Sequence, residues 1–173
     1  MNIERWVRDI ADFPRPGIGF KDLTPLMGNA EAFAAAVDLM VAPFRAQGIT
    51  RICGIEARGF IFGAAAALAL GCGFVPLRKP GKLPADRIGV DYSLEYASDR
   101  LEMHADALQA GERVLIVDDV LATGGTLAAA VDLVSRGGAE IAGAAMLVEL
   151  ARLNGRSRWN RQNLLHAVIV YNQ

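Results

Sequence analysis

The sequence predicts an α/β fold with an open, mostly parallel sheet that is flanked by helices. Two runs, residues 51–56 and 113–117, have the composition of strands that are buried on both faces. Each run is followed by a turn and then by a helical pattern, over residues 61–70 and 127–134 respectively. Repetition of this strand–turn–helix order is typical of parallel sheets, in which ligands bind at the carboxyl ends of the strands.

The N-terminal quarter of the chain predicts two helices with a connector between them. Residues 2–12 have the pattern of a short amphipathic helix, which the prolines that follow it end. From residue types alone, residues 17–22 are more typical of a surface connector than of a binding segment. Asn29 is a suitable N-cap for a helix over 30–47, and Pro43 is expected to kink or shorten that helix.

Three more strands are predicted along the chain. Residues 74–77 form a strand near an edge of the sheet, because Pro76 has no N–H group to donate. Residues 141–150 predict a buried strand rich in alanine, and residues 165–170 predict a last strand, also placed at an edge. The sequence contains no internal repeat and no domain linker.

Residues 85–100 have the pattern of a two-stranded β-ribbon. Tyr92, Leu94 and Tyr96 alternate with polar residues, and a returning strand follows over 101–104. A ribbon of two strands is only marginally stable alone, so this one should either lean on the domain or move. Movement over a binding site is the behaviour of a lid.

The length and composition indicate one folded domain. The chain has 173 residues, enough for a single α/β domain over 1–173 with a substantial core. Hydrophobic residues make up 53% and charged residues 21%, which is typical of a globular chain. The formal net charge of -1 gives no electrostatic footprint for a nucleic acid. The cations within residues 78–82 are better matched to a small anionic ligand.

Other features bear on compartment and on metal content. Residues 1–10 carry charges throughout, and no window approaches the roughly 18 apolar residues that span a bilayer, so no membrane association is expected. Without a signal peptide, Cys53 and Cys72 are expected as reduced thiols in the cytoplasm. His104 and His166 are the only histidines, and no Cys/His cluster has metal-site spacing, so no metal held directly by the protein is predicted.

The strongest functional signal follows the run 113–117. Asp118 and Asp119 come first, and a turn of small residues then opens the predicted helix. The free N–H groups and the dipole of a helix start favour an anion, and glycines allow it to approach closely. Carboxylates instead accept hydrogen bonds from vicinal hydroxyls, as on a ribose. A sugar phosphate is therefore predicted, with an ordinary strand–turn–helix joint as the alternative. Its phosphate would lie at Ala122, Thr123, Gly124, Gly125 and Thr126.

Residues 113–126 resemble the phosphoribosyl-diphosphate signature of the type I phosphoribosyltransferases. That signature is a hydrophobic run, two acids, several small residues and Thr-Gly-Gly-Thr, which stands here at 123–126. The resemblance implies the fold of that family, an open α/β sheet with a small hood and a flexible β-ribbon lid. Residues 1–28 would contribute to the hood, and residues 80–100 would form the lid.

Four further segments, 17–22, 56–60, 78–84 and 93–96, resemble the adenine-specific members of that family. For the base, the resemblance implies Ile18, Gly19, Phe20, Lys21 and Arg58. For the diphosphate, it implies Glu56, Ala57, Arg58, Gly59, Arg78, Lys79 and Lys82. For catalysis, it implies Glu95 as the acid/base and Tyr96 as a shield over the reaction.

The same residues have plainer interpretations when they are considered alone. A lone Arg58 is more typical of a surface salt bridge, the basic segment 78–82 of a solvated loop, and Glu95 of a solvated hairpin. Two residues also depart from the family pattern, since Gly19 stands where a larger aliphatic is common and Lys21 where arginine is frequent. These departures bear on base selectivity more than on the class of reaction.

The resemblance implies a specific reaction, in which adenine and 5-phosphoribosyl 1-diphosphate give AMP and diphosphate in purine salvage. It also implies Mg²⁺, bound mainly through the diphosphate donor, and a homodimer. Two alternatives stay open. One is a phosphoribosyltransferase for another purine base, and the other is a non-catalytic regulator that binds the same donor.

Overall fold

The computed structural model describes residues 1–94 and 97–172, without the side chains of residues 93, 94, 97 and 98. In chain order the strands are β1 (Arg8–Ile10), β2 (Phe20–Asp22), β3 (Arg51–Ile55), β4 (Gly73–Leu77), β5 (Arg87–Leu94), β6 (Ala97–His104), β7 (Arg113–Leu121), β8 (Glu140–Leu150) and β9 (Leu164–Tyr171). The α-helices are α1 (Thr24–Met27), α2 (Ala30–Val41), α3 (Gly59–Leu70) and α4 (Gly125–Arg136). None of the helices within these described ranges has the length and apolarity to cross a membrane.

The centre of the fold is a five-stranded sheet in the order β4-β3-β7-β8-β9, and every neighbouring pair is parallel. This confirms the predicted fold class and the edge positions of β4 and β9. The chain moves from β3 outward to β4 and then returns to β7 on the other side of β3. The strand order therefore reverses between β3 and β7, and in open α/β sheets ligands bind in the crevice at such a point.

The register of β7 opens this crevice. Its pairing with β3 stops at Gly54 opposite Val117, whereas its pairing with β8 continues to Leu121 opposite Glu149. The end of β7 therefore extends beyond β3 with one flank free of a neighbouring strand. The predicted strand ended before Asp118, which was too early, because pairing with β8 alone carries β7 through both aspartates.

Both faces of the sheet are covered, as expected when parallel strands are connected by helices. One hydrophobic cluster joins α4 to the sheet and contains Leu133 and Met146, both of them buried. The other cluster joins α2 and α3 to the opposite face and contains Phe62 and Leu147. Residues 144–147 of β8 alternate between the two clusters, so both faces of the strand are buried there.

Helix α2 follows the sequence prediction at its start and ends earlier than predicted. The side chain of Asn29 accepts a hydrogen bond from the backbone N–H of Ala32, so Asn29 is the N-cap. The predicted helix over 30–47 stops at Val41, and a 3₁₀ turn, Ala42–Phe44, replaces its last part. Pro43 lies in that turn, and its missing N–H group accounts for the shortening.

Residues 1–28 are called the hood, after the sequence prediction, and the secondary structure predicted for part of them was wrong. The predicted helix over 2–12 is instead a single 3₁₀ turn, Glu4–Trp6, followed by β1. Strand β1 pairs antiparallel with β2, so half of the predicted connector 17–22 is also a strand. Ile3 is buried and Trp6 packs on the same cluster as α2, so one short turn is enough to bury the apolar residues that suggested a helix.

Strands β5 and β6 form an antiparallel ribbon, which confirms the predicted β-ribbon. Its base leans on the domain, because Val90, Leu101 and Met103 are buried in the same hydrophobic cluster as α4. The Arg136 side chain of α4 also donates a hydrogen bond to the carbonyl of Gly89, at 3.4 Å. Residues 95–96, the predicted catalytic pair Glu95 and Tyr96, lie outside the described residues.

Candidate active site

Three predicted segments meet at the carboxyl edge of the sheet. Residues 56–59 follow β3, residues 78–82 follow β4, and residues 118–126 include the end of β7 and the start of α4. Because these strands are neighbours in the sheet, segments far apart in the sequence surround one crevice. The structure therefore brings the predicted ribose, phosphate and diphosphate residues to the same edge.

The phosphate turn (residues 122–126) connects β7 to α4. Gly124 has φ 79°, a left-handed conformation that favours glycine, and α4 begins at the next residue. A cavity of about 60 Å³ opens there, between the end of β7 and the start of α4, and includes Thr123 and Thr126 in its lining. Thr123 itself is exposed. The turn can thus present N–H groups and hydroxyls to a small anion.

The two aspartates lie in different environments. The backbone N–H of Asp119 donates to Asp118 Oδ1 at 2.9 Å. Burial of the Asp118 carboxyl, together with the neighbouring charge of Asp119, raises its pKa well above the usual range. A Cβ atom on Gly59 would lie 2.6 Å from Asp118 Oδ1, so glycine allows the first turn of α3 to pack against this carboxyl.

Arg58 bridges the end of β7 and the hood. Its Nε lies 2.5 Å from Asp119 Oδ2, but the contact lacks the geometry of a hydrogen bond, and that buried oxygen has no hydrogen-bond donor among the described residues. The guanidinium carbon lies 4.9 Å from the centre of the Phe20 ring. Arg58 also approaches the carbonyl of Lys21, at 3.5 Å. Asp119 is thus a buried carboxylate paired with a cation at the edge of the crevice.

The base segment (residues 18–21) is held against the rest of the hood. The Phe20 ring packs edge-on against Phe13 at 5.0 Å. A cavity of about 590 Å³, large enough for a small molecule, is lined by Ile18, Gly19 and Lys21, with Leu150 on its other side. A Cβ atom on Gly19 would have no neighbour within 4 Å, so the space for a larger side chain is left open.

The side chain of Lys21 does not meet Arg58. Its ammonium group pairs with Asp9 and lies 3.6 Å from the centre of the Tyr171 ring. Only the backbone of Lys21 faces the segment after β3, through its carbonyl oxygen. Any contact of this residue with a base in the crevice would therefore be made by its main chain.

The basic loop (residues 78–82) is organised by a carboxylate. Glu56 Oε2 accepts a hydrogen bond from Arg78 Nε at 3.2 Å and another from the backbone N–H of Lys79 at 2.9 Å. Arg78 also donates to the carbonyl of Lys82 at 3.0 Å. The Glu56–Ala57 peptide bond, which precedes Arg58, is cis. Glu56 thus holds the loop in place, whereas Lys82 is exposed and turned to solvent.

The side chain of Lys79 contacts the ribbon. Its ammonium group pairs with Asp99 and donates to the Tyr92 hydroxyl at 2.9 Å. Partial burial alone would lower the pKa of Lys79, but the hydrogen bonds to Asp99 and Tyr92 outweigh it, and the net pKa is raised. Lys79 is therefore a cation whose charge is already shared with the ribbon.

Glu102 is a residue near the site that the sequence did not single out. It is only 5% exposed, accepts a hydrogen bond from the backbone N–H of Gly81 at 3.2 Å, and pairs with Arg87 and Arg100. Burial opposes its charge, but the Arg100 and Gly81 hydrogen bonds and both arginine charges prevail and lower its pKa. Glu102 links the ribbon to the basic loop. In the sequence, the only sign of a role for Glu102 was that an acidic residue stands within the predicted strand 101–104.

A comparison of the sequence with family models identifies the family of this chain. The family model described as phosphoribosyl transferase domain matches residues 29–164 of this chain. The chain belongs to this family. Within the residues that the structure describes, no group of three or more acidic, cysteine or histidine side chains could hold a metal ion.

Individual members of the phosphoribosyl transferase family are very similar to this chain. An adenine phosphoribosyltransferase of Xanthomonas campestris is 58% identical over 165 residues, which cover 95% of this chain and 89% of that protein. The crystal structure of an adenine phosphoribosyltransferase from Rhodothermus marinus has 47% identity and a TM-score of 0.93, with 98% of this chain and 96% of that chain covered. The Saccharomyces cerevisiae enzyme, crystallised with an imino-altritol bisphosphate and adenine, has 38% identity and a TM-score of 0.89, with 96% of each chain covered.

Proposed function

We propose that this protein transfers the phosphoribosyl group of 5-phosphoribosyl 1-diphosphate to adenine and releases AMP and diphosphate, as a salvage enzyme. The observation that carries the proposal is the acid pair Asp118 and Asp119 beside the phosphate turn, at the point where the strand order reverses. The names of the relatives support adenine as the acceptor.

The ribose and its 5′-phosphate would be held by the end of β7. Asp118 and Asp119 would accept hydrogen bonds from the two ribose hydroxyls. The phosphate turn would bind the 5′-phosphate through its N–H groups and threonine hydroxyls. Binding energy from these remote groups would orient C1′ for attack.

The diphosphate leaving group would lie between the start of α3 and the basic loop. Arg78 and Lys82 would share its charge, with the backbone of residues 57–59 on the other side. The donor set fits Mg²⁺ that arrives on the diphosphate, because the carboxylates of Asp118 and Asp119 offer oxygen atoms to its water shell. When bound, Mg²⁺ would neutralise charge on the diphosphate.

The adenine base would lie against the base segment, with Phe20 stacked on its face and Arg58 beside it. The backbone of residues 18–21 would read the donor and acceptor edge of the purine. Glu95 would take the proton that adenine loses as N9 attacks, and Tyr96 would shield the reaction from water. The roles of these two residues rest on the Ser-Leu-Glu-Tyr sequence at 93–96.

We propose further that residues 80–100 act as a lid. The base of the ribbon is fixed on α4, so closure would involve its outer part and the basic loop. For Lys79 to reach the diphosphate, its pair with Asp99 would have to open. The backbone of Arg78 pairs with that of Glu102 in the ribbon. Movement of the ribbon would therefore also move Arg78.

We also propose that the protein is a cytoplasmic homodimer. Helix α3 contains no polar residue, and Ile61, Ala64 and Leu68 lie on one face of it at helical spacing. Ile61 is 43% exposed and Leu68 is 86% exposed, so this face is apolar and uncovered in a single chain. A second copy of the chain would cover it. Cys53 and Cys72 are free thiols, in keeping with a reducing compartment.

The Leu68→Glu variant is expected to convert the dimer into a monomer, because each copy would bring a charge into an apolar interface. Sedimentation equilibrium measures the mass directly. Val170→Glu introduces the same charge at an exposed residue of β9 and is expected to leave the mass unchanged. A Leu68→Glu variant that still has the mass of two chains would show that α3 is not the interface.

A diphosphate-release assay tests the proposed reaction. The protein is mixed with 5-phosphoribosyl 1-diphosphate and Mg²⁺, with or without adenine. Release that depends on adenine and is lost when a chelator removes Mg²⁺ is the expected result. Binding of the donor without release under any condition would contradict the proposal and favour a non-catalytic regulator.

A further inference from the structure

The segment after β8 touches the phosphate turn backbone to backbone. A Cβ atom on Gly155 would lie 2.2 Å from the carbonyl oxygen of Ala122 and 2.9 Å from the backbone nitrogen of Gly124. A Cβ atom on Gly124 would in turn lie 2.4 Å from the carbonyl oxygen of Gly155. These distances are too short for any side chain. Gly155 is therefore required by close approach to a main chain, which cannot move aside as a flexible side chain would.

A charge pair between the buried Glu149 and the half-exposed Arg156 fixes the residue next to Gly155. Glu149 is 5% exposed, and both of its carboxylate oxygens accept hydrogen bonds from Arg156, with Nε 3.0 Å from Oε1. Arg156 also donates to the carbonyl of Leu165 at 2.8 Å, which ties the segment to the start of β9. Glu149 and Leu121 are partners across β8 and β7, and Leu121 directly precedes the phosphate turn. The pair is thus anchored beside the first residue of that turn.

An ion pair of this kind is weak evidence for stability, because the half-exposed Arg156 is screened by solvent and the cost of desolvating Glu149 offsets much of the attraction. The geometry of the pair is better explained by a role in positioning the residues next to it. A forked pairing of arginine with carboxylate fixes direction as well as distance. In this fold the forked pairing fixes the distance of Arg156, and with it Gly155, from the backbone of the phosphate turn.

We propose that Gly155 is a positioning residue for the 5′-phosphate, and that the Glu149–Arg156 pair holds it in place. The backbone of Gly155 would pack against the backbone of Ala122 and Gly124. This contact would keep the N–H groups of the turn directed at the phosphate. The inference rests on the proposed function, because it takes the ligand of the turn to be the 5′-phosphate of the substrate. No contact between Gly155 and the ligand itself is needed.

The Gly155→Ala variant should push the phosphate turn away from its position. The added methyl group overlaps the Ala122 carbonyl oxygen by about 1 Å relative to ordinary contact, and a misplacement of that size can cost about 100-fold in catalytic rate. Affinity for AMP is expected to fall at least tenfold. Affinity for adenosine, which lacks the phosphate, is expected to stay within about twofold.

Titration calorimetry with AMP and with adenosine separates this inference from the proposed function. Wild-type protein that binds AMP no more tightly than adenosine would contradict the phosphate site itself. A wild-type preference for AMP that Gly155→Ala retains in full would contradict only the positioning role. Gly138→Ala, at an exposed glycine with φ 82° and open space, controls for the general cost of replacing a glycine and should keep the preference.

Arg156→Lys provides a second variant that decides the question if Gly155→Ala does not fold. Lysine keeps the positive charge but cannot form the forked contact with Glu149. The ratio of AMP to adenosine affinity is expected to fall several-fold. Gly155 and Arg156 lie in a 3₁₀ turn, Gly155–Arg158. Arg158→Lys, at an exposed residue of that turn, is the matched control and should leave the ratio unchanged. An unaltered ratio in Arg156→Lys would overturn the inference, because loss of stability alone affects both ligands equally.

Discussion

Replacing Asp118 and Asp119 together by asparagine is expected to lower the rate of AMP formation at least about 100-fold. Each carboxylate would lose a charged hydrogen bond to a ribose hydroxyl, worth roughly 1.5–3 kcal/mol, and two such losses correspond to roughly 100- to 10,000-fold. Asparagine keeps the size of the side chain but carries no charge and places a donor where an acceptor is needed. The measurement is kcat/KM for the diphosphate donor at saturating adenine.

The fold of this double variant should persist, and its stability at neutral pH should be at least that of the wild type. The pKa of Asp118 is raised in the folded protein by burial and by the charge of Asp119. A raised pKa means that the folded state binds the proton more tightly. The contribution of Asp118 is thus favourable below its unfolded pKa of about 3.9 and is lost as pH rises through the folded value. Above the folded pKa, the charged Asp118 carboxylate is buried at a cost in stability, and asparagine removes this cost.

Urea denaturation at pH 7 and at pH 4 measures that effect, and the gain in the free energy of unfolding should be larger at pH 7. A double variant of Asp38→Asn and Asp106→Asn makes the same change in net charge at two exposed residues and should retain full activity. If the Asp118 and Asp119 variant were fully active, these carboxylates would not hold the ribose.

The Glu95→Gln variant is expected to lower turnover about 100- to 10,000-fold, the usual range for loss of a general base, with a much smaller change in donor affinity. Glutamine can still accept a hydrogen bond but cannot take the proton from adenine. The expectation is motivated by the Ser-Leu-Glu-Tyr sequence at 93–96. Steady-state kcat and a separate equilibrium titration with the donor distinguish the two effects.

The pH profile adds a second measurement for Glu95. The acidic limb of the kcat profile reports the base in the bound complex and should disappear in the glutamine variant. Glu31→Gln, at an exposed residue in the first turn of α2, is the matched control and should show wild-type kinetics. Unchanged turnover in Glu95→Gln would remove this residue from catalysis.

The sheet was predictable because its strands carry their own signal. A parallel strand buried on both faces is a hydrophobic run, and β3, β7 and β8 all have that composition. The hood was not predictable, because Arg8 and Asp9 of β1 are exposed and polar. Their strand conformation comes from pairing with Lys21 and Asp22 across a turn, which local propensity does not report.

The segments that meet at the carboxyl edge of the sheet were predictable, and their side-chain contacts were less so. Two acids before a Gly/Thr turn indicate a sugar phosphate from residue types alone. The contact between Arg58 and Asp119 depends on the order of strands in the sheet, which a single sequence does not encode locally. Glu149 was missed even though it interrupts the aliphatic residues of β8. A charged residue within such a run is seldom fully buried unless it is paired, and that signal could have pointed to Arg156.

The most direct test of the account is a competition among bases in one reaction. Equal concentrations of adenine, hypoxanthine, guanine and xanthine are mixed with the donor, Mg²⁺ and the protein, and the product nucleotides are separated and measured. The account predicts that AMP is by far the main product. A main product other than AMP would show that the hood selects a different base, and absence of any nucleotide would contradict the transferase itself.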